Sequence, residues 1–215
     1  MTEPAVLYQG AAHCLCYPDA EVRDRLPLVR AAVPELHPFL DEFEPWSPTA
    51  AAEHYVRVFD FKNRHSLYLS WWLDGDTRRR GASLVAFKET YRAYGLTVTG
   101  EELPDFLPAV LEFTARTGNR DLLAAHRAGL ELLRLALTDD GTPYAAILDA
   151  VCATLPGPTP KDRLEARALA RTGPRTETVG LDFPPGYGAP GYEVPGYGTS
   201  GYGTSGYGTP GHGGR

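Results

Sequence analysis

This sequence predicts an all-α, multi-helix bundle with a long C-terminal extension, and three observations carry that prediction. Apolar residues recur at steps of three and four through most of residues 1–171. No pair of alternating β-branched runs flanks a hairpin turn. Composition changes abruptly after Phe183.

The first helix is expected over residues 4–16 and the second over 20–33, followed by one over 48–61. Leu84, Phe87, Tyr91 and Tyr94 then mark one face of a helix running from a cap at Asp76 to a stop at Gly95. In the next segment Pro104 suits a first helical position, but Pro108 lacks the N–H that a helix interior needs, a loss of about 3 kcal/mol. The expected geometry is a short turn before Pro108 and a fresh helix, within residues 105–116. Leu122, Leu123, His126, Leu130, Leu133 and Leu137 form the next stripe. Tyr144, Ile147, Leu148, Val151 and Leu155 form another, after Thr142 as cap and Pro143 at the first helical position. A last helix is expected over 160–170.

From Gly186 a short unit repeats as GYGAP, GYEVP, GYGTS, GYGTS, GYGTP and GHGGR, which places 12 of the 23 glycines in the last 30 residues. Such a stretch cannot bury enough apolar surface to offset its backbone entropy. The expected division is a helical domain over residues 1–171 and a disordered Gly/Tyr/Pro-rich tail over 172–215. A formal net charge of -6 argues against a nucleic-acid partner, whose phosphates would be repelled. No window approaches the ~18 uninterrupted apolar residues of a membrane span, and the opening MTEPAVLYQG lacks the layout of a secretory signal. Cys14, Cys16 and Cys152 are an odd number that fits reduced thiols better than a disulfide framework. Together these features predict a cytoplasmic protein with no direct membrane insertion.

Motifs for small-molecule chemistry are weak. GYGAPG, with Gly186, Gly188 and Gly191, matches GxGxxG, but no strand precedes it and no helix follows to receive a pyrophosphate. His13, Cys14 and Cys16 gather soft ligands in HCLC, yet Cys14 and Cys16 diverge on a helix and no second cluster completes a tetrahedral site. Buried small thiols are the better reading. There is no GxSxG turn, and Ser47, Ser66, Ser70 and Ser83 have no base at a fixed offset. His37 reads as a turn residue, and His54, His65 and His126 as residues on helix faces.

Two segments stand out. GDTRRRG, from Gly75 to Gly81, puts three arginines in the opening turn of a helix, where each opposes the dipole by roughly 0.3 to 1 kcal/mol. Gly81 adds about 1 kcal/mol relative to alanine. These penalties predict arginines held in tertiary pairs or bound to a ligand or partner, and a Gly81 that admits another backbone. EELPDFLPAVLEF, from Glu101 to Phe113, carries Glu101, Glu102, Asp105 and Glu112 with no base, beside apolar Phe106, Leu107 and Val110. An acidic, partly apolar groove of this kind suits a basic amphipathic peptide; a solvated helix start, with its acids favoured by the dipole, is the competing reading.

The run from Tyr55 to Phe113 closely resembles nitrate reductase molybdenum-cofactor assembly chaperones of the NarJ type. It does so through Phe59 and Asp60, Ser66 and Leu67, then Gly75, Asp76, Arg78, Arg80 and Gly81. Tyr91, Gly95, Glu102 to Asp105, Pro108, Leu111 and Glu112 continue the match, and Tyr17, Pro18 and Asp19 fit the end of the family's first helix. The resemblance spans about residues 5–155 and leaves out the Gly-Tyr repeat.

The resemblance implies a TorD/DmsD-like helical fold without catalysis. It implies binding of the N-terminal segment of the nitrate reductase catalytic (alpha) subunit, held in the cytoplasm until molybdopterin guanine dinucleotide and an iron-sulfur cluster are installed and the subunit docks at the membrane. No cofactor would be bound stably by the chaperone itself, and cofactor-biosynthesis proteins would be further partners. On this reading Glu101, Glu102, Asp105, Phe106, Pro108 and Glu112 contact the client. Tyr55, Phe59, Asp60, Asp76, Arg78, Arg80 and Gly81 organise the groove, with Arg78 and Arg80 pairing to carboxylates such as Asp60. The alternatives are a sister chaperone for a dimethyl sulfoxide or trimethylamine oxide reductase, and a helical metal-delivery protein using His13, Cys14 and Cys16.

Overall fold

Capping chemistry sets where the early helices start. Asp19 accepts from the Val22 N–H at 2.9 Å and opens Ala20–Ala32, while Ser47 accepts from the Ala50 N–H at 3.2 Å and opens Pro48–Tyr55, with proline at the first position. The computed structural model describes residues 2–60, 65–75, 78–97, 102–157 and 159–172. Its α-helices are α1 (Pro4–Cys14), α2 (Ala20–Ala32), α3 (His37–Phe43), α4 (Pro48–Tyr55), α5 (Leu69–Asp74) and α6 (Arg78–Ala93). They continue as α7 (Leu107–Thr117), α8 (Asp121–Ala125), α9 (Arg127–Asp139), α10 (Tyr144–Cys152) and α11 (Arg163–Thr172). A 3-10 turn, Pro34–Leu36, precedes α3, and a π turn, Val56–Asp60, follows α4. Among the described residues there is no strand, only one isolated antiparallel bridge between Tyr68 and Phe106. The fold is all-α, as expected. The Gly-Tyr repeat and the rest of the expected tail beyond Thr172 lie outside the described residues.

Several expectations about local structure are corrected. The stripe from Leu122 to Leu137 is two helices, because His126 leaves the helical range (φ -102°, ψ 16°) between α8 and α9. Thr142 does not cap α10: its hydroxyl bonds His54 Nε2 at 2.8 Å, and Pro143 is itself the capping position. His37 opens α3 rather than lying in a turn, and His65 sits buried between elements, its ring nitrogens facing the carbonyls of Val58 (2.9 Å) and Ala136 (3.2 Å). Two helices, α3 and α5, have no counterpart in the sequence expectation. α3 has Pro34 just before it and Pro38 in its first turn, a pair that reads as turn, and α5 is too short to show a period. Gly95, in contrast, ends α6 as expected. Its φ of +71° is open to glycine, and it lets Leu96 N–H reach back to the Tyr91 carbonyl at 3.0 Å.

Packing divides into two neighbourhoods. α1 lies against α7 and α10, and Gly10 lets the Val33 side chain come within 3.0 Å of where a Cβ would stand. Around Tyr144, wholly buried on α10, gather the rings of Phe39, Phe43, His54, Tyr55 and Phe59, with centroids 4.9 to 6.1 Å away. α9 forms the second neighbourhood, with α5, α10 and α11 against it and Leu130, Leu133 and Leu137 fully buried. Each such leucine contributes roughly 1.5 to 3 kcal/mol. Gly129 is the close-approach glycine here: a Cβ on it would stand 2.8 Å from Trp72 Cβ on α5. No helix among the described residues is long and apolar enough to cross a membrane.

Candidate functional site

Two short extended segments, one on each side of α6 in the chain, meet and form a wall. Leu69 N–H donates to the Asp105 carbonyl at 3.0 Å, and Leu107 N–H donates to the Leu67 carbonyl at 2.8 Å. The Asp105 carboxylate locks this joint, since Oδ2 accepts from both Ser70 N–H, at 3.1 Å, and the Ser70 hydroxyl. Tyr91 ties α6 to the same joint by donating its hydroxyl to the Pro104 carbonyl at 2.6 Å.

Two adjoining hollows open along this wall, sharing Cys16, Glu102 and Phe106. The first, about 580 Å³, is completed by Tyr17, Tyr55, Phe59, Asp60, Ser66, Leu67 and Tyr68. The second, about 340 Å³, has Tyr91, Leu96 and Thr97 on one side and Pro108, Ala109, Glu112, Phe113 and Arg116 along α7. The π turn after α4 shapes the first hollow. With i→i+5 winding Asp60 returns to the face that carries Tyr55, whereas on an α-helix it would lie about 140° away.

The structure thus brings most of the expected residues together. Glu102, Phe106, Pro108 and Glu112 line the groove, as do Tyr55, Phe59 and Asp60. Glu101 and Asp76 lie outside the described residues. Three expectations change. Asp105 is wholly buried and holds Ser70, so it builds the wall instead of offering its charge to a ligand. Arg80 makes no ion pair with Asp60; its Nε donates to Ser70 Oγ at 3.3 Å and its guanidinium lies 5.6 Å from the centre of the Tyr68 ring. Arg78 is exposed, lines neither hollow and likewise makes no ion pair with Asp60. Gly81 is exposed and, among the described residues, nothing lies within 4 Å of where its Cβ would stand, so no described backbone approaches it.

Groups facing the groove sit in a negative field. Burial first, then Glu112, Asp19 and Glu102, pushes the Cys16 thiol up to about 11, and its Sγ donates to the Ala12 carbonyl. Tyr55 is raised by burial and then by Cys16, Asp60 and Glu102; its hydroxyl donates to the Leu15 carbonyl at 3.1 Å. Burial and Glu102 likewise raise Tyr68, which donates to Glu102 Oε2 at 3.2 Å. Cys14 is buried and pushed up to about 12, chiefly by burial, and His13 Nε2 is engaged with the Val22 carbonyl at 2.9 Å. Among the described residues these two cysteines and His13 form no joint ligand set. No group of three or more metal-ligating side chains occurs among the described residues.

Sequence reasoning did not find Tyr68 and Ser70. The available signal was the alternation of Leu67 and Leu69, both buried, around half-buried Tyr68, a two-residue period too short to register as a strand.

The 38% identical "Nitrate reductase-like protein NarX" of Mycobacterium tuberculosis (strain ATCC 25618 / H37Rv) aligns over 69% of this chain, which spans only 24% of that longer relative. The "Probable nitrate reductase molybdenum cofactor assembly chaperone NarJ" of Bacillus subtilis (strain 168) is 32% identical over 72% of this chain and 90% of its own length. The "Nitrate reductase molybdenum cofactor assembly chaperone NarJ" of Escherichia coli (strain K12) is 30% identical over 52% of this chain and 48% of its own. The model of the family described as "Nitrate reductase delta subunit" matches residues 25–149, a span that contains α3 to α9 and nearly all of the groove, and the chain belongs to that family.

Proposed function

We propose that this chain is an assembly chaperone for a nitrate reductase, acting in the cytoplasm. Its groove holds the N-terminal segment of the catalytic alpha subunit while molybdopterin guanine dinucleotide is inserted, and releases it before the subunit docks at the membrane. The chaperone binds and orients; no bond is made or broken on it. The observation that carries this reading is the pair of adjoining hollows, in which aromatic and apolar walls alternate with Asp60, Glu102 and Glu112. An amphipathic helical peptide would lay its apolar side against Phe106, Pro108, Ala109 and Phe113 and direct basic residues toward the carboxylates. Kinship with chaperones named for nitrate reductase supports the choice of client.

The test is calorimetric titration of the full chain with a synthetic peptide of the alpha-subunit N-terminus. Saturable binding that weakens with added salt is expected. Glu112→Arg should weaken it about tenfold or more with the melting temperature little changed, because Glu112 is only half buried. Affinity unaltered by that reversal and by salt would remove the groove from the binding site.

A further inference from the structure

The larger hollow has a composition the smaller one lacks. Five aromatic residues surround it, namely Tyr17, Tyr55, Phe59, Tyr68 and Phe106, and two carboxylates, Asp60 and Glu102, stand in its lining. Among its described lining residues there is no lysine or arginine. Arg116, by contrast, stands in the smaller hollow. These ring pairs are not stacked shut: Tyr17 meets Tyr55 edge to face, at 5.5 Å and 83°, and Tyr68 meets Phe106 at a tilt, at 5.5 Å and 41°. Tyr17 is half exposed, and Asp60 and Glu102 are exposed, so the hollow is reachable from solvent.

A purely apolar side chain would give Asp60 no donor and leave Glu102 with the Tyr68 hydroxyl alone, and an acidic one would be repelled. A planar cation satisfies both parts of the lining, because guanidinium stacks on π faces while its N–H fork donates to carboxylates. The protein already uses this contact on itself, with Arg80 over Tyr68 and Arg23 over Phe43 at 5.9 Å. At about 580 Å³ the hollow has room for a whole arginine side chain.

We infer that the larger hollow is an arginine subsite, in which a client arginine enters between Tyr17, Tyr55 and Tyr68 and bonds Asp60 and Glu102, while the smaller hollow takes the apolar flank of the same segment. This rests on the peptide-binding reading above and adds to it the position and chemistry of one anchoring residue. Burial first, and then the lining carboxylates, raise the Tyr55 and Tyr68 hydroxyls, and the second of these causes points the same way.

The experiment is a titration series with the full chain and alpha-subunit N-terminal peptides in which each arginine is replaced, one at a time, by citrulline, a neutral isostere. One replacement should weaken binding by about tenfold and the others by much less. Tyr17→Leu, Asp60→Asn and Glu102→Gln should each cost the parent peptide more than they cost that one citrulline peptide, the signature of direct coupling. If all citrulline peptides bind like the parent, or if the arginine preference persists undiminished in the three variants, the subsite is overturned while the groove reading stands. If no peptide from that segment binds at all, both fall together.

Discussion

The two sides of this molecule treat charge in opposite ways. On the α9 side Glu131 is wholly buried between Arg127, at 3.5 Å, and Arg134, at 2.7 Å. The two arginines also cap the chain beyond α10 by donating to the carbonyls of Gly157 and Pro160. On the groove side Asp60, Glu102 and Glu112 line hollows walled by aromatic rings, and one arginine, Arg116, is among the described residues there. Charge on the first side is spent on closure, and on the second it is left for an outside partner. The same helices carry both, since α5 faces α9 across Gly129 and also continues the wall segment through Ser70.

Breaking the closed side should have the largest effect. Glu131→Ala leaves two poorly exposed guanidinium groups without their shared carboxylate, and loss of one partner from a buried ionic cluster costs about 3 to 5 kcal/mol. Chemical denaturation should show that loss as a lower midpoint. Any peptide affinity that remains in the folded fraction should be unchanged, because none of these residues lines the groove. A parallel fall in affinity would show that the Glu131 cluster supports the groove as well as the closure.

Asp105→Ala attacks the wall and comes next. It strips the acceptor from Ser70 N–H and hydroxyl in a fully buried place, and an orphaned donor there costs about 1 to 3 kcal/mol. Unlike the Glu131 change it should lower peptide affinity as well, since Tyr68 and Phe106 lose the joint that aligns them. Asp105→Asn, which keeps one acceptor for Ser70, should recover most of the stability. If it recovers none, the carboxylate charge rather than the hydrogen bonds holds the wall.

Acidification gives a smaller and more gradual effect. Burial lowers the pKa of His126, against the Phe87 ring at 4.8 Å, and burial followed by Arg57 lowers that of His54. The unfolded chain therefore binds more protons than the folded one below the ordinary imidazole value of 6.5, so this share of stability is complete above 6.5 and declines as pH falls below it. The melting temperature should drop between pH 7 and 5.5, and His126→Phe should flatten that slope. An unchanged slope in the variant would assign the loss elsewhere.

Much of this was legible in advance, and the misses share a cause. Most helix periods, the turn before Pro108 and the stop at Gly95 are local, and they appear where expected. Glu102, Phe106, Pro108 and Glu112 were readable because they lie on one short run whose charge and apolar content coexist. Asp105 sits in the same run and looks identical in sequence, yet its role depends on Ser70, 35 positions away. Arg80 reads in sequence as a partner for Asp60, but it lies over Tyr68, a ring whose place is set by a bridge to Phe106. Spacing along the chain carries no record of such pairings.

Two glycines complete the contrast and should respond with opposite signs. Gly81 is an unhindered position on an exposed helix face, so Gly81→Ala should stabilise the protein by about 0.5 to 1 kcal/mol through helix propensity alone. Gly129→Ala gains the same propensity, but its methyl would stand 2.8 Å from Trp72 Cβ, and forcing helices apart costs about 1 to 3 kcal/mol, so the net change should be a loss. That loss also reaches the groove. Trp72 donates its indole N–H to the Ser66 carbonyl at 3.0 Å, and Ser66 lines the larger hollow, so a displaced α5 pulls on the wall from behind. Gly129→Ala should therefore weaken peptide binding modestly at a site it never touches, whereas Gly81→Ala should leave binding alone. Equal affinity in the two variants, measured well below both melting temperatures, would mean that the closed side gives the groove no support.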